Sequence, residues 1–131
     1  MERVLVDMSC TLLHHGHIRL LKKASKYGKV IVALTTDDEI FLKKGYWPEL
    51  SYQHRYEIIS AIKYVHKVIP SKWLLTNDFI KLHKIDTLVH GDDNSNIIDA
   101  CKIKIFARTK GISSSELRRK SSEIYSSTKL E

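Results

Sequence analysis

Histidines gathered around a glycine are the first group in this chain whose types and spacing could perform chemistry. His14 and His17 stand three residues apart with Gly16 between them, where an amphipathic stretch begins. Imidazoles beside the free backbone N–H groups of a helix start form a site for polyphosphate oxygens, and the glycine lets the chain approach the phosphates. The same residues would also suit a helix cap or a fortuitous metal site. The segment His14–His17 therefore predicts a site that binds anions, and it leaves open which chemistry the site performs.

A second candidate segment lies nearer the C-terminal end. It runs from Arg108 to Ser115 and reads Arg-Thr-Lys-Gly-Ile-Ser-Ser-Ser. Serines at the start of a helix offer hydroxyl and backbone N–H donors to phosphate oxygens, and Arg108 adds positive charge. Ser113 could equally serve only as a cap, because Glu116 follows it in capping-box spacing. The segment indicates either a phosphate-binding loop or a plain helix start.

The elements that would position these segments alternate along the chain. Short β-branched runs separated by longer amphipathic stretches predict an α/β fold, a Rossmann-like, doubly wound, five-stranded parallel sheet. The predicted strands are Arg3–Asp7, Lys29–Leu34, Lys67–Pro70, Thr87–His90 and Lys102–Phe106. The predicted helices are His15–Tyr27, one opening near Asp37, Ser51–Tyr64, Leu75–Lys84, a short one after Asn94 and one from Ser113. Ligands of such sheets bind beyond the carboxyl ends of the strands, where both candidate segments are expected.

Length, composition and charge narrow the class of protein. With 131 residues, 43% hydrophobic and 28% charged, the chain is expected to form one globular domain, 1–131, whose end at 121–131 frays. The longest apolar run, Val30–Leu34, is too short to span a membrane, and no signal peptide is evident, so a cytoplasmic protein without a membrane partner is expected. The net charge of +7 suits a nucleic acid, an anionic membrane surface or a phosphorylated ligand.

Several segments together carry a resemblance to a known family. Leu12–Leu21 resembles the HxGH signature of the nucleotidylyltransferase superfamily, whose members transfer a nucleotide from CTP or ATP to a phosphorylated alcohol. Arg108–Ser115 looks like the RTEGISTT segment of the cytidylyltransferases, and Val89–Asp93 resembles their HGDD or MGDD segment. Ser51–Arg55 and Tyr64–Pro70 resemble the SYEHR and RYVDEVIP segments of the glycerol-3-phosphate cytidylyltransferases.

The resemblance implies a cytidylyltransferase fold, an NTP with Mg²⁺ as substrates and a homodimer. It further implies in-line attack on the α-phosphorus without a general base, in which His14 and His17 stabilise the developing charge. Lys44 and Arg108 would hold the triphosphate as further catalytic residues, and no protein residue is expected to bind the metal directly. The nucleotide-binding residues that the resemblance implies are Met8, Ser9, Gly16, Lys43, Arg55, Gly91, Asp92, Asp93, Thr109, Gly111, Ile112, Ser113, Ser114 and Ser115.

One segment departs from the family's pattern. The family usually carries Gly-Thr-Phe-Asp or Gly-Val-Phe-Asp before the two residues that precede its first histidine, whereas this chain has Met8-Ser9-Cys10-Thr11. Met8 places a long side chain where glycine lets the loop lie close to the phosphates, and Thr11 removes a carboxylate. A nucleotide-binding protein without catalytic activity is therefore one alternative.

The base and the acceptor leave further alternatives. CTP is expected because His90–Asp93 and Arg108–Ser115 resemble the cytidylyl branch, while ATP remains open because adenylyl-transferring relatives share HxGH. The acceptor is a phosphorylated small alcohol or sugar, with glycerol phosphate suggested by Ser51–Arg55 and FMN possible for an adenylyltransferase. Nucleic-acid binding through Lys102–Lys120 is disfavoured, because no aromatic stacking platform is interleaved with those charges and the phosphate site already uses several of them.

Overall fold

A parallel sheet forms the centre of the computed structural model, which describes residues 1–91 and 97–128. Its strands are β1 (Arg3–Met8), β2 (Lys29–Thr35), β3 (Lys67–Ser71), β4 (Thr87–Gly91) and β5 (Lys102–Phe106). They lie in the order β3-β2-β1-β4-β5, and every neighbouring pair is parallel. The chain winds outward from β1 in both directions, which confirms the predicted doubly wound α/β fold. The switch in winding direction lies between β1 and β4, where such sheets bind ligands.

The helices agree with the predicted ones in order but differ in length. They are α1 (His15–Ser25), α2 (Asp37–Lys44), α3 (Tyr52–Ser60), α4 (Asn77–Leu82) and α5 (Ser114–Thr128). The side chains of Ser51 and Thr76 accept hydrogen bonds at the starts of α3 and α4, so both helices begin after the predicted position. The helix predicted after Asn94 lies partly outside the described residues, and 97–99 are not helical.

The last helix continues through 121–128, where the sequence predicted a frayed end. The helix is supported along its exposed side by ion pairs that Arg119 forms with Glu116, one turn before it, and with Glu123, one turn after it. Such pairs at helical spacing stabilise a helix by small amounts each. Within 1–91 and 97–128, no helix has the length and apolar character needed to cross a membrane.

The core lies on both faces of the sheet because side chains alternate along each strand. On one face, Val4 and Val6 of β1 belong to a buried cluster with Leu21 of α1 and Ile59 of α3. On the other face, strand residues such as Leu5 pack in a second cluster that includes Ile80 of α4. Burial on both faces fixes the central strands β1, β2 and β4, whereas no residue of the edge strand β5 is fully buried.

Candidate functional site

A cavity of about 360 Å³ opens over the carboxyl ends of the central strands. It brings together all four residues predicted to be catalytic, which come from the loop after β1, the end of α2 and the loop after β5. The predicted site residues that line it are Met8, Ser9, His14, Gly16, His17, Lys44, Gly91, Arg108, Thr109, Ile112, Ser113, Ser114 and Ser115. Lys43, Arg55 and Gly111 are not among the lining residues, and Asp92 and Asp93 lie outside the described residues.

The two histidines form a reciprocal unit at the start of α1. Nδ1 of His14 accepts from the backbone N–H of Gly16, and Nδ1 of His17 accepts from the backbone N–H of His14, each at 3.1 Å. An imidazole that accepts through Nδ1 carries its proton on Nε2 when it is neutral. The histidines are therefore a helix cap, as the simpler interpretation of the sequence held, and two Nε2–H donors beside the cavity.

Burial keeps this pair neutral near pH 7. The pKa of His17 is lowered from 6.5 to about 4, first by desolvation and second by the charge of His14. The pKa of His14 is lowered mainly by burial, with contributions from the charges of His15 and Arg108. Neutral imidazoles can donate hydrogen bonds to phosphate oxygens without a proton transfer.

Gly16 is required by the packing of the His14 ring. A Cβ added at Gly16 would lie 2.8 Å from Cε1 and 2.9 Å from Nδ1 of His14, closer than such contacts occur. Any larger residue would push the imidazole away from the helix start. The glycine therefore fixes the position of His14.

The loop after β1 is held from below by Arg55, which is only 1% exposed. Its Nη1 donates to the carbonyl oxygens of Ser9 (2.7 Å) and Thr35 (2.9 Å), its Nε donates to Leu50, and its Nη2 donates to Asp37. These bonds occupy the guanidinium underneath the cavity. Arg55 thus supports the loop, and its expected contact with the nucleotide stays a prediction.

The residues of that loop that depart from the family's pattern are buried or partly buried. Met8 packs against the core cluster on the α1 side of the sheet, and Thr11 is 4% exposed. Cys10 takes a left-handed backbone conformation (φ 47°), and burial raises the pKa of its thiol to about 12. The thiol is therefore not a nucleophile near neutral pH.

The start of α5 is tied to the loop after β1. The Ser114 hydroxyl donates to the carbonyl oxygen of Leu12 at 2.8 Å, and the Ser113 hydroxyl accepts from the backbone N–H of Glu116 at 3.0 Å. Ser113 is therefore the cap, and α5 begins one residue later than predicted. The Ser114 hydroxyl thus donates within the protein, whereas the O–H of Ser113 and the backbone N–H groups that precede Glu116 can donate to an anion.

The cationic side chains of the cavity come from several elements. Lys44 is the last residue of α2 and lines the cavity, with Nζ 5.4 Å from the ring centre of Trp73, whereas its neighbour Lys43 does not line it. Gly45 then ends α2. Arg108, Arg19 and Lys23 line other parts of the wall. A wall with this charge favours a polyanionic ligand.

The sequence model of one protein family, described as Cytidylyltransferase-like, matches residues 11–120, which is most of the chain. The chain belongs to the cytidylyltransferase-like family. The matched range contains His14, His17 and the start of α5, so the family's sequence pattern includes most of the residues that line the cavity. The family resemblance drawn from the short motifs is thereby confirmed.

Relatives of this family member support the same assignment. Glycerol-3-phosphate cytidylyltransferase of Bacillus subtilis (strain 168) is 37% identical over 123 residues, which cover 90% of this chain and 95% of that protein. Ethanolamine-phosphate cytidylyltransferase of Arabidopsis thaliana is 31% identical over 88% of this chain and 31% of its own length. The chain is accordingly a nucleotidyltransferase.

A solved structure shares the fold. The lipopolysaccharide core biosynthesis protein from Thermoplasma volcanium GSS1 superposes with a TM-score of 0.73. The match covers 84% of this chain and 99% of that chain, at 24% sequence identity. At this level of identity the likeness concerns the fold, and it agrees with the five-stranded parallel sheet of this cytidylyltransferase-like protein.

Sequence reasoning missed a polar pair at the switch point of this family member's sheet. Nδ1 of His90 lies 2.8 Å from Oδ1 of Asp7, and both residues line the cavity. Val6 is paired with Val89, so the two polar residues follow at the next positions of neighbouring strands. His90 is 4% exposed, and its Nε2 has no hydrogen-bond partner in the described part of the chain. The signal was a polar residue that directly follows the apolar run within each of two strands.

Acidic side chains are scarce in the wall. Of the described residues that line the cavity, Asp7 is the single acid. Over 1–91 and 97–128, no group of three His, Cys, Asp or Glu side chains could hold a metal ion. The described residues that line the cavity therefore do not fit a resident metal.

Proposed function

We propose that this nucleotidyltransferase transfers CMP from CTP to the phosphate of a small phosphorylated alcohol, releasing pyrophosphate. The observation that carries the proposal is the pair of Nε2–H donors of His14 and His17, placed in one cavity with Lys44 and Arg108. Glycerol phosphate is the first acceptor candidate, because relatives that match nearly their whole length are glycerol-3-phosphate cytidylyltransferases of Bacillus subtilis and Staphylococcus aureus. ATP is the alternative nucleotide.

The reaction proposed for this cavity is an in-line displacement at phosphorus. An acceptor phosphate oxygen forms a bond to the α-phosphorus of CTP, and the bond from that phosphorus to the α,β-bridging oxygen breaks. The electron pair leaves with pyrophosphate. The attacking oxygen is already anionic near neutral pH, so no general base is required.

The histidines would act as hydrogen-bond donors and not as acids or bases. Because the pKa of His17 is lowered to about 4, the ring enters the reaction neutral and donates its Nε2–H to an oxygen that gains charge. Lys44 and Arg108 would balance the triphosphate electrostatically, together with the N–H groups at the start of α5. CTP would bind as its Mg²⁺ complex, so no step relies on a protein metal site.

Pyrophosphate release by the purified protein tests the proposal. Each of the four NTPs is supplied with Mg²⁺ and glycerol phosphate, and His17→Ala is compared with His54→Ala, which replaces an exposed histidine outside the cavity. We expect CTP-dependent release that is lost in His17→Ala and retained in His54→Ala. Nucleotide binding without release for any acceptor offered would instead support the binding protein without catalytic activity.

A second acceptor class is favoured by the polar pair at the switch point. Nδ1 of His90 lies 2.8 Å from Oδ1 of Asp7, and this carboxylate is the single acid among the described residues that line the cavity. A carboxylate in an otherwise cationic wall would pair with an ammonium group. Ethanolamine phosphate, the acceptor in the name of several relatives, carries such a group. Comparing initial rates with the two acceptors at equal concentration distinguishes them.

A further inference from the structure

Arg118 joins three segments around the cavity, and none of the roles assigned above uses it. Its Nε and Nη2 both bond the carboxylate of Glu49, with Nη2 2.8 Å from Oε1. Nη2 also lies 3.1 Å from Oγ1 of Thr11, and Nη1 lies 3.3 Å from the hydroxyl of Tyr46. A single guanidinium on α5 thus contacts the loop after β1 and the segment after α2.

The segment after α2, residues 45–51, depends on such contacts for its position. It begins at Gly45, which ends α2 in a left-handed conformation (φ 80°), and it contains neither helix nor strand until α3 starts. Tyr46 lines the cavity directly after the cationic end of α2, whereas Glu49 reaches α5. A segment without backbone ladder bonds opens at lower free energy than the sheet beside it.

The geometry of the contact suits a positioning role. A guanidinium binds a carboxylate through two parallel N–H donors in one plane, which fixes orientation as well as distance. The pair is partly shielded, with side-chain exposures of 30% for Arg118 and 39% for Glu49. Thr11 offers the guanidinium an acceptor without charge. The negative charge that balances Arg118 therefore comes from Glu49, in the segment after α2.

We propose that Arg118 is a positioning residue whose fork to Glu49 holds segment 45–51 against α5, so that Lys44 and Tyr46 face the bound nucleotide. The kinetic part of this inference rests on the proposed function, whereas the structural part does not. The fork couples the cationic end of α2 to the helix whose first turn forms the opposite wall. Loss of this ion pair would weaken binding of the triphosphate in the ground state and in the transition state alike.

Cleavage of the folded full chain by chymotrypsin after Tyr46, measured without nucleotide, tests the structural part, because a protease cuts a segment only when it opens. We expect Arg118→Met to raise the rate of this cleavage roughly fivefold, while cleavage after Phe106 of β5 keeps its rate. Arg119→Met is the matched control, because the neighbouring arginine pairs with Glu116 and Glu123 within α5. An unchanged rate of cleavage after Tyr46 for Arg118→Met would overturn the proposal, whatever the substrate of the protein proves to be.

Variants of both partners test the pair itself. Glu49→Gln is expected to raise cleavage after Tyr46 as Arg118→Met does, and the double variant Glu49→Arg with Arg118→Glu is expected to restore much of the protection. If CTP is the substrate, Arg118→Met raises its KM roughly fivefold with kcat changed less than twofold, because ground-state and transition-state binding weaken together. A charge-exchanged pair no better protected than the single variants would contradict the proposal.

Discussion

Nδ1 of His17 accepts a hydrogen bond from the backbone N–H of His14 at 3.1 Å. This single bond decides which nitrogen of the neutral ring carries the proton, since an accepting Nδ1 leaves the proton on Nε2. Nδ1 of His17 therefore completes the start of α1, whereas the Nε2–H group on the other side of the ring can donate to a phosphate oxygen.

Acidification is expected to destabilise the fold through His17. Its pKa is about 4 in the folded chain and 6.5 in the unfolded chain, so only the unfolded chain takes up the proton between these values. The stability is fully present above 6.5 and is lost as the pH falls toward 4. Urea unfolding of His17→Asn and of the unsubstituted protein, near pH 7 and near pH 5, checks this: the unsubstituted protein should lose about 2 kcal/mol more. Equal losses in both proteins would contradict it.

Replacing Gly16 by alanine is expected to lower activity by displacing the imidazole of His14. The added Cβ would meet that ring at 2.8 Å, and displacing a catalytic group by about 1 Å costs roughly 100-fold in kcat. Alanine is favourable in a helix, so the free energy of unfolding should hardly change. Steady-state kinetics of Gly16→Ala, His14→Ala and the double variant give the check. The double variant should be no slower than His14→Ala, and fully additive losses would show a separate effect of Gly16.

The sequence predicted the fold and much of the site because both rest on local patterns. Alternating apolar runs indicate the strands, and strand ends in a doubly wound sheet bring the loops that follow them together. His14, His17, Lys44 and Arg108 lie next to such ends or to a helix start, so their convergence on one cavity followed from the topology. Motif resemblance supplied the chemistry that the topology alone does not specify.

Long-range side-chain bonds escaped the same reasoning. Arg55 was expected at the phosphates, yet its partners Ser9, Thr35 and Asp37 lie 18 to 46 residues away along the chain. The Asp7–His90 pair depends on the lateral pairing of β1 with β4, which the order of elements along the chain does not fix. Burial decides whether a charged side chain supports the fold or contacts a ligand, and burial is a property of the packed structure.

Replacing Arg55 by methionine is expected to destabilise the fold by about 3 kcal/mol, because buried carbonyl groups would lose their charged donor. Urea unfolding without nucleotide measures the loss. Lys43→Met, which alters an exposed cation outside the cavity, is the control and should stay within about 0.5 kcal/mol. If the Arg55→Met protein instead has normal stability and weakened CTP binding, Arg55 contacts the phosphates, as the sequence predicted.

Replacing Asp7 by asparagine distinguishes the two acceptor classes. The amide keeps the shape of the side chain and an oxygen that accepts from Nδ1–H of His90, so the pair should persist while the negative charge is removed. We expect kcat/KM for ethanolamine phosphate to fall roughly tenfold and that for glycerol phosphate to change less than about threefold, because only the ammonium loses a counter-charge. Asp38→Asn, which alters an exposed acid outside this cavity, controls for net charge. Equal losses for both acceptors would mean that the carboxylate acts through His90 on a step common to them.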